Sequence, residues 1–248
     1  MDAAARGAAR RAGPGGRAAA TGGSVYPGDY MASVADGVVP RLQPLRVFVC
    51  RHEQRAPKAG GFEDGLTEEG LRAAETDMVQ KVRDIANLRA IYSSPFKRCL
   101  QTIAPFVRGA GDTTLAIKVD YSLYEHPSPH PDDTFPVLSD EACAQYPLDP
   151  SYTSIFTTED IRRTGNRTGP QLRRRLVPFL KRIAVRHANE ATNLGVPQSI
   201  LLVTHQTCCH QLIGLDQGAS VHYLDDAYRN PELMNFPMGS IYELKNIL

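Results

Sequence analysis

The sequence lacks the features by which membrane-spanning and nucleic-acid-binding proteins are usually identified. None of its apolar runs approaches the roughly 18 residues that a membrane-spanning helix needs. Its formal net charge is only +1 over 248 residues, which gives no general attraction to nucleic acid or to an anionic membrane. We therefore expect a soluble protein that binds neither nucleic acid nor membranes and whose positive charge is gathered locally, at a cleft.

Cysteine is scarce and irregularly spaced, which argues against a disulfide-stabilised secreted domain. The five cysteines, an odd number, are scattered along the chain at positions 50, 99, 143, 208 and 209. Such a set is typical of reduced thiols, so we predict a cytoplasmic location. No Walker-type glycine loop is present, and no cofactor is predicted. An apolar content of 42% still allows a full hydrophobic core.

The first 40 residues differ in composition from the rest of the chain. Residues 1–23 are nearly all alanine, glycine and arginine. They lack the aliphatic and aromatic side chains whose burial offsets the entropy cost of ordering. We predict that residues 1–40 are a disordered tail and that residues 41–248 form one catalytic domain. An arginine-rich organelle transit peptide is the alternative interpretation of the tail.

From Arg46 onward, short apolar runs alternate with amphipathic runs. The predicted strands cover 46–50, 90–93, 115–119, 199–204 and 241–244, and the predicted helices cover 68–87, 95–107, 170–189 and 206–214. Strands joined by crossover helices favour a parallel sheet covered on both faces. We predict an α/β fold of three α/β/α layers with a mostly parallel central sheet. The stretch from about 126 to 168 has no sustained periodicity and is predicted to be an irregular lid insertion.

Two of the predicted strands run directly into a histidine. The strand ending at Cys50 is followed by Arg51 and His52, and the strand ending at Thr204 is followed by His205. Parallel strands bring their carboxyl ends to one edge of the sheet, where ligands bind in open α/β folds, so the two imidazoles should meet there. A neutral imidazole can attack phosphorus. Nearby arginines keep it neutral by lowering its pKa, and they bind phosphoryl oxygens in bidentate fashion.

Three further residues fall near the same edge. Arg55 follows shortly after His52, and Arg98 lies in the first turn of a predicted helix, where unpaired backbone N–H groups favour anions. Glu125 follows the third strand; a carboxyl group beside a bound phosphate has a raised pKa and can protonate a leaving oxygen. Each residue alone has a plainer explanation, such as a solvated side chain. Their convergence on one edge indicates a phosphoryl-transfer site.

Taken in order, these motifs resemble those of the histidine phosphatase (phosphoglycerate mutase-like) superfamily over essentially the whole chain from residue 46. The motifs that carry the resemblance are Arg51-His52, Ser94-Pro95-x-x-Arg98-x-x-Gln101-Thr102, Leu123-Tyr124-Glu125 and Thr204-His205. Within the superfamily, the position of Arg55 and the insert at 138–152 are most similar to the branch of the suppressors of T-cell-receptor signalling and the steroid-phosphate phosphatases.

The resemblance implies a phosphomonoester hydrolase that works through a phosphohistidine intermediate. It implies that His52 is the nucleophile and that Glu125 is the general acid and later the base. The implied clamp for the phosphoryl oxygens consists of Arg51, Arg55, Arg98 and His205. The implied substrate is a phosphorylated small molecule or a phosphoprotein, and the resemblance also suggests a homodimer.

Two positions depart from the family pattern and keep other functions open. Glu53 stands where the family has glycine, and Gln206 stands where a small residue usually follows the second histidine. A carboxylate beside an anion site lowers phosphate affinity if it points inward. One alternative is therefore a catalytically impaired member that serves as a phosphate-ligand or protein-binding module. A second alternative is a phosphoglycerate mutase or a sugar-bisphosphatase.

Other polar clusters are weaker candidates for chemistry, and the loop cluster around His126 and His130 is interpreted as a lid or substrate contact. The spacing of His205, Cys208, Cys209 and His210, and the loop cluster around His126 and His130, resemble metal-ligand patterns only weakly, and no metal is predicted. The run 173–175 is three consecutive arginines. We predict that this run is a solvated helix face.

Overall fold

The structure, a computed structural model, describes residues 45–56, 61–125, 137–165, 168–194, 196–218 and 236–246. The predicted tail, residues 1–40, lies outside this part of the chain, as do His126 and His130. The described strands are β1 (Leu45–Arg51), β2 (Leu88–Ser93), β3 (Ile117–Val119), β4 (Gln198–Thr204) and β5 (Ile241–Leu244). The described α-helices are α1 (Glu68–Ala73), α2 (Val79–Arg83), α3 (Lys97–Gly109), α4 (Asp140–Gln145), α5 (Thr158–Thr164), α6 (Gly169–Leu194) and α7 (Gln206–Asp216).

The five strands form one sheet in the order β3-β2-β4-β1-β5. Strands β3, β2, β4 and β1 are parallel to their neighbours, and only the edge strand β5 is antiparallel. In this register Arg51 lies opposite Thr204, and Ser93 lies opposite Val203. The ends of β1, β4 and β2 therefore meet at one edge of the sheet. The predicted mostly parallel α/β sheet is confirmed.

Apolar side chains cover both faces of the sheet, because alternate residues of each buried strand point to opposite sides. On one face the core includes residues of β1, β4 and α3, namely Phe48, Cys50, Leu201, Val203, Leu100 and Ile103. On the other face it includes residues of the same strands and of α6 and α7, namely Val47, Val49, Ile200, Leu202, Phe179 and Leu212. Helices thus pack on both faces of the central sheet, which gives the three α/β/α layers that the alternating pattern predicts.

The helix after β2 starts later than predicted. The sequence pattern places its N-cap at Ser94 and its first residue at Pro95, but α3 begins at Lys97 with Phe96 as the extended N-cap residue. Ser94 instead continues the sheet, its backbone N–H donating to the Val203 carbonyl at 2.9 Å. Its hydroxyl oxygen lies 2.7 Å from Nε2 of His205 and is not used as a helix cap. Arg98 nevertheless falls in the first turn of α3.

The prediction that the insertion is irregular is wrong for its described part, residues 137–165. This part contains the helices α4 and α5, and α5 begins with a reciprocal capping box between Thr157 and Asp160. Leu148 forms a bridge with Ile117 that extends the sheet beyond β3. The helices are too short to show the periodicity of longer ones, which is why the sequence pattern does not show them.

No helix within the described ranges is both long enough and apolar enough to cross a bilayer.

Candidate active site

His52 stands directly after β1 and is almost completely buried. Its backbone N–H donates to the Thr204 carbonyl at 3.0 Å, so the sheet ladder continues one residue past the strand. Its ring Nδ1 lies 2.7 Å from the backbone oxygen of Glu53. Because a carbonyl oxygen can only accept, Nδ1 carries the proton and Nε2 keeps its lone pair. Burial lowers the pKa of His52 to about 3, and Arg98 and Arg51 act in the same direction.

His205 occupies the N-cap position of α7, directly after β4, and its ring is fully buried. The ring centroids of His205 and His52 are 5.4 Å apart. Nε2 of His205 lies 2.7 Å from the hydroxyl oxygen of Ser94, and Nδ1 lies 3.6 Å from a carboxylate oxygen of Glu125. Burial lowers the pKa of His205 well below its usual range, and Arg98 adds to this effect. Both imidazoles are therefore neutral.

Arg98 and Glu125 form a buried ion pair beside the two rings. One guanidinium nitrogen of Arg98 donates to the Gly61 carbonyl at 2.8 Å, and another contacts the Glu125 carboxylate. The guanidinium carbon lies 4.5 Å from the centroid of the Phe96 ring. Burial raises the pKa of Glu125, although Arg98 opposes the increase. The Glu125 carboxylate thus contacts Arg98 and lies near His205. These two side chains therefore have a negatively charged oxygen of the protein itself beside them.

Arg51 and Arg55 supply two more guanidinium groups. Arg51 donates to the Phe236 carbonyl at 2.6 Å, and its Nε is buried without a hydrogen-bond acceptor among the described residues. Arg55 donates to the adjacent carbonyl of Ala56 at 3.1 Å. Both guanidinium groups lower the pKa values of His52 and Glu125 through space. The structure therefore brings together all the residues that the sequence singles out for phosphate chemistry.

Glu53, the residue that departs from the family pattern, is directed toward a turn near the end of the chain. Its carboxylate packs against Gly239, where a Cβ would collide with it and where φ is +70°. Lys81 donates to the Gly239 carbonyl at 2.9 Å and lowers the pKa of Glu53, but burial raises that pKa more. The backbone N–H of Glu53 donates to the Thr102 hydroxyl at 2.9 Å. Its carboxylate therefore faces Lys81 and Gly239 instead of the pair formed by Arg98 and Glu125.

The prediction that the arginine run 173–175 is solvated is wrong for two of its three members. Arg174 is exposed, but Arg173 is buried and Arg175 has no exposed surface. Arg175 lies three residues after Leu172 and four before Phe179, both of which are core residues of α6. This helical spacing is the signal that places Arg175 on the buried face. Ser94, which contacts His205, carries no comparable signal.

The cysteines near His205 belong to the core. Cys208 and Cys209 are fully buried in the first turns of α7, and Cys208 donates weakly to the Tyr124 carbonyl at 3.4 Å. Among the residues that the structure describes, no group of three or more His, Cys, Asp or Glu side chains is arranged to hold a metal ion.

Comparison with known proteins gives a family match and several similar folds. A model of the histidine phosphatase superfamily (branch 1) matches residues 48–230. The solved ecdysone phosphate phosphatase from Bombyx mori is 17% identical with a TM-score of 0.58, covering 81% of this chain and 88% of that one. A mycobacterial glucosyl-3-phosphoglycerate phosphatase is 16% identical with a TM-score of 0.54, covering 80% of this chain and 89% of that one. No curated protein matches the sequence. At these identities the structural likeness extends to the fold alone.

Proposed function

The chain belongs to the histidine phosphatase superfamily, and we propose that it hydrolyses phosphomonoesters through a phosphohistidine formed on His52. The observation that carries this proposal is the state of the His52 ring. It is buried and neutral, its Nδ1 proton is bound to a backbone carbonyl, and its Nε2 lone pair is left for attack. The cation of Arg98 and the neutral ring of His205 lie beside it.

The proposed reaction has two steps. In the first, Nε2 of His52 forms a bond to phosphorus as the ester P–O bond breaks, and the carboxylic acid of Glu125 gives its proton to the leaving oxygen. In the second, the Glu125 carboxylate takes a proton from water, whose oxygen attacks phosphorus as the P–N bond breaks. Arg51, Arg55 and Arg98 bind the equatorial oxygens, where most of the negative charge develops.

Substrate binding requires Glu125 to give up its contact with Arg98. A phosphoryl group carries more negative charge than a carboxylate, so it replaces the Glu125 carboxylate as the partner of the Arg98 guanidinium. The carboxyl group is then beside a dianion instead of a cation, and this change raises its pKa further. Phosphate binding itself therefore converts Glu125 to the acid form that the first step needs.

The function is tested with a panel of phosphomonoesters in the presence of a metal chelator. We expect hydrolysis of p-nitrophenyl phosphate and of at least one ester of phosphotyrosine, a steroid or a sugar, with no loss of rate on chelation. Rapid quenching should trap a phosphoenzyme that is stable to base and labile to acid, as a phosphoramidate is. The absence of hydrolysis across the panel would contradict the proposal. Phosphate exchange between the two phosphoglycerates at a rate comparable to hydrolysis would favour a mutase instead.

The alternative of an impaired binding module depends largely on Glu53, and a variant at this position tests it. We expect Glu53→Gly to change kcat/KM for p-nitrophenyl phosphate by less than about threefold, because its carboxylate faces Gly239 and Lys81 and is not among the main charges that act on His52. The measurement is steady-state hydrolysis by the folded fraction of each protein. An increase of tenfold or more would show that Glu53 restricts catalysis.

We further propose that the substrate is a cytoplasmic phosphorylated small molecule or phosphoprotein. All five cysteines are free thiols, and four of them are buried in the core, where oxidation to a disulfide would disturb packing. The two solved phosphatases compared above are named for an ecdysone phosphate and a glucosyl-3-phosphoglycerate. Both esters belong in the substrate panel.

A further inference from the structure

A buried arginine donates hydrogen bonds to the backbone that leads into Glu125. Nε of Arg175 donates to the carbonyl of Ser122 at 3.0 Å, and a terminal nitrogen of the same guanidinium donates to the carbonyl of Tyr124. One planar group therefore spans two peptide units of the segment that ends at Glu125. A guanidinium presents several N–H donors in a fixed geometry, so it fixes both carbonyls relative to each other.

Other buried donors hold the same segment from neighbouring elements. The hydroxyl of Thr204, at the end of β4, donates to the Leu123 carbonyl at 2.8 Å. The thiol of Cys208, on α7, donates weakly to the Tyr124 carbonyl at 3.4 Å and interacts with Arg175. Three consecutive carbonyls before Glu125 are thus bound by side chains of α6, β4 and α7. The backbone that precedes Glu125 is therefore held by side chains from three elements of the core.

Arg175 lies at a core position where an apolar side chain would pack without the energetic cost of removing a charge from water. It has no exposed surface and lies among Leu172, Leu176 and Phe179 of the same helix. Burial lowers its pKa to about 10, so it remains charged at neutral pH. This charge also lowers the pKa of His205.

We propose that Arg175 is a positioning residue for the general acid. Its guanidinium fixes the backbone at Ser122 and Tyr124 and thereby sets where the Glu125 carboxyl group can reach. Arg175 itself touches neither the phosphoryl group nor the reacting atoms. This inference rests on the proposed function, because it assigns Arg175 to the step in which Glu125 gives a proton to the leaving oxygen.

The test compares two leaving groups in an Arg175→Lys variant. Lysine keeps a positive charge but cannot bridge two carbonyls in a fixed geometry. An alkyl phosphate needs a proton on its leaving oxygen, whereas p-nitrophenolate leaves without one. We expect kcat/KM for an alkyl phosphate to fall about tenfold more than kcat/KM for p-nitrophenyl phosphate, a fraction of the full contribution of a general acid. A loss of folded protein would lower both values equally.

Arg173→Lys is the matched control. Arg173 lies on the same helix and is also buried, but it donates to the side chain of Gln211 at 2.6 Å. We expect this variant to leave the ratio of the two kcat/KM values unchanged. Equal losses for both substrates in Arg175→Lys, or the same change of ratio in Arg173→Lys, would overturn the proposal.

Two further measurements decide the proposal if the first cannot. Should Arg175→Lys fail to fold, Thr204→Val removes the donor to Leu123 with almost no change in volume. This variant should change the ratio of the two kcat/KM values in the same direction by about threefold, and an unchanged ratio would count against positioning.

A ¹⁵N NMR spectrum of the histidine rings needs no activity. The Nδ1 signal of His205, which faces Glu125, should shift in Arg175→Lys and not in Arg173→Lys. If the wild type cleaves neither ester, the proposed function fails, while an unshifted signal refutes the positioning role.

Discussion

Replacing His52 with alanine is expected to lower phosphomonoester hydrolysis at least about a thousandfold. Removal of a nucleophile leaves only the binding and electrostatic contributions of the rest of the site. No other described side chain in the pocket has a comparable free lone pair, because both ring nitrogens of His205 face protein groups, Ser94 and Glu125. The measurements are steady-state hydrolysis of p-nitrophenyl phosphate and the amount of phosphoenzyme trapped by rapid quenching. Both should disappear together.

His187→Ala is the control for the loss of a buried histidine. His187 is also buried, and burial also lowers its pKa, but its ring lies on α6 and is hydrogen-bonded to the Tyr92 hydroxyl at 2.9 Å. The folded fraction of this variant should hydrolyse the ester at the wild-type rate and form the phosphoenzyme. A His52→Ala variant that keeps more than a few per cent of wild-type activity would refute the phosphohistidine mechanism.

Replacing Glu125 with glutamine is expected to have two opposite effects. The first is a loss of about a hundredfold or more in kcat/KM for an alkyl phosphate, because glutamine cannot protonate the leaving oxygen. The second is tighter binding of inorganic phosphate by about tenfold. The carboxylate that contacts Arg98 and lies near His205 competes with phosphate, and a neutral amide gives up that charge-assisted hydrogen bond.

The binding effect is measured by calorimetry with inorganic phosphate, and it has a matched control. Glu159 forms an ion pair with Arg162 at 2.7 Å on α5, with both side chains more than half exposed. Glu159→Gln should change neither hydrolysis nor phosphate binding, because an exposed pair is screened by water. Weaker phosphate binding by Glu125→Gln than by the wild type would show that the carboxylate does not compete for the clamp.

Local sequence patterns predict the frame of this site well, for a physical reason. Strands β1 and β4 contain the uninterrupted apolar runs 47–50 and 200–203 because both faces of the sheet are covered, so the ends of these runs mark where Arg51-His52 and Thr204-His205 begin. Parallel pairing then requires the two histidines to lie at one edge. The last strand, Ile241–Leu244, also lies where the sequence pattern predicts it.

The predictions that fail concern residues whose partners are distant along the chain. The sequence shows Glu53 as an acid beside the nucleophile, but the direction of its carboxylate depends on Gly239 and Lys81. The charges of the run 173–175 favour solvent, whereas Arg175 lies on the buried face of α6, where it donates to the carbonyls of Ser122 and Tyr124. In each case the polar partner belongs to another element of the fold, and periodicity along the chain does not identify that partner.

The order of residues alone determines which groups reach the edge of the sheet: two imidazoles, their neighbouring arginines and a carboxyl group after the third strand. It does so because the strand period is set locally, and because parallel strands of one sheet bring their carboxyl ends to the same edge. Only the tertiary structure decides the protonation and contacts of these groups. The ring of His52 is neutral because it is buried beside Arg98, and Glu125 meets Arg98 and lies near His205 because α6, β4 and α7 hold the backbone before it.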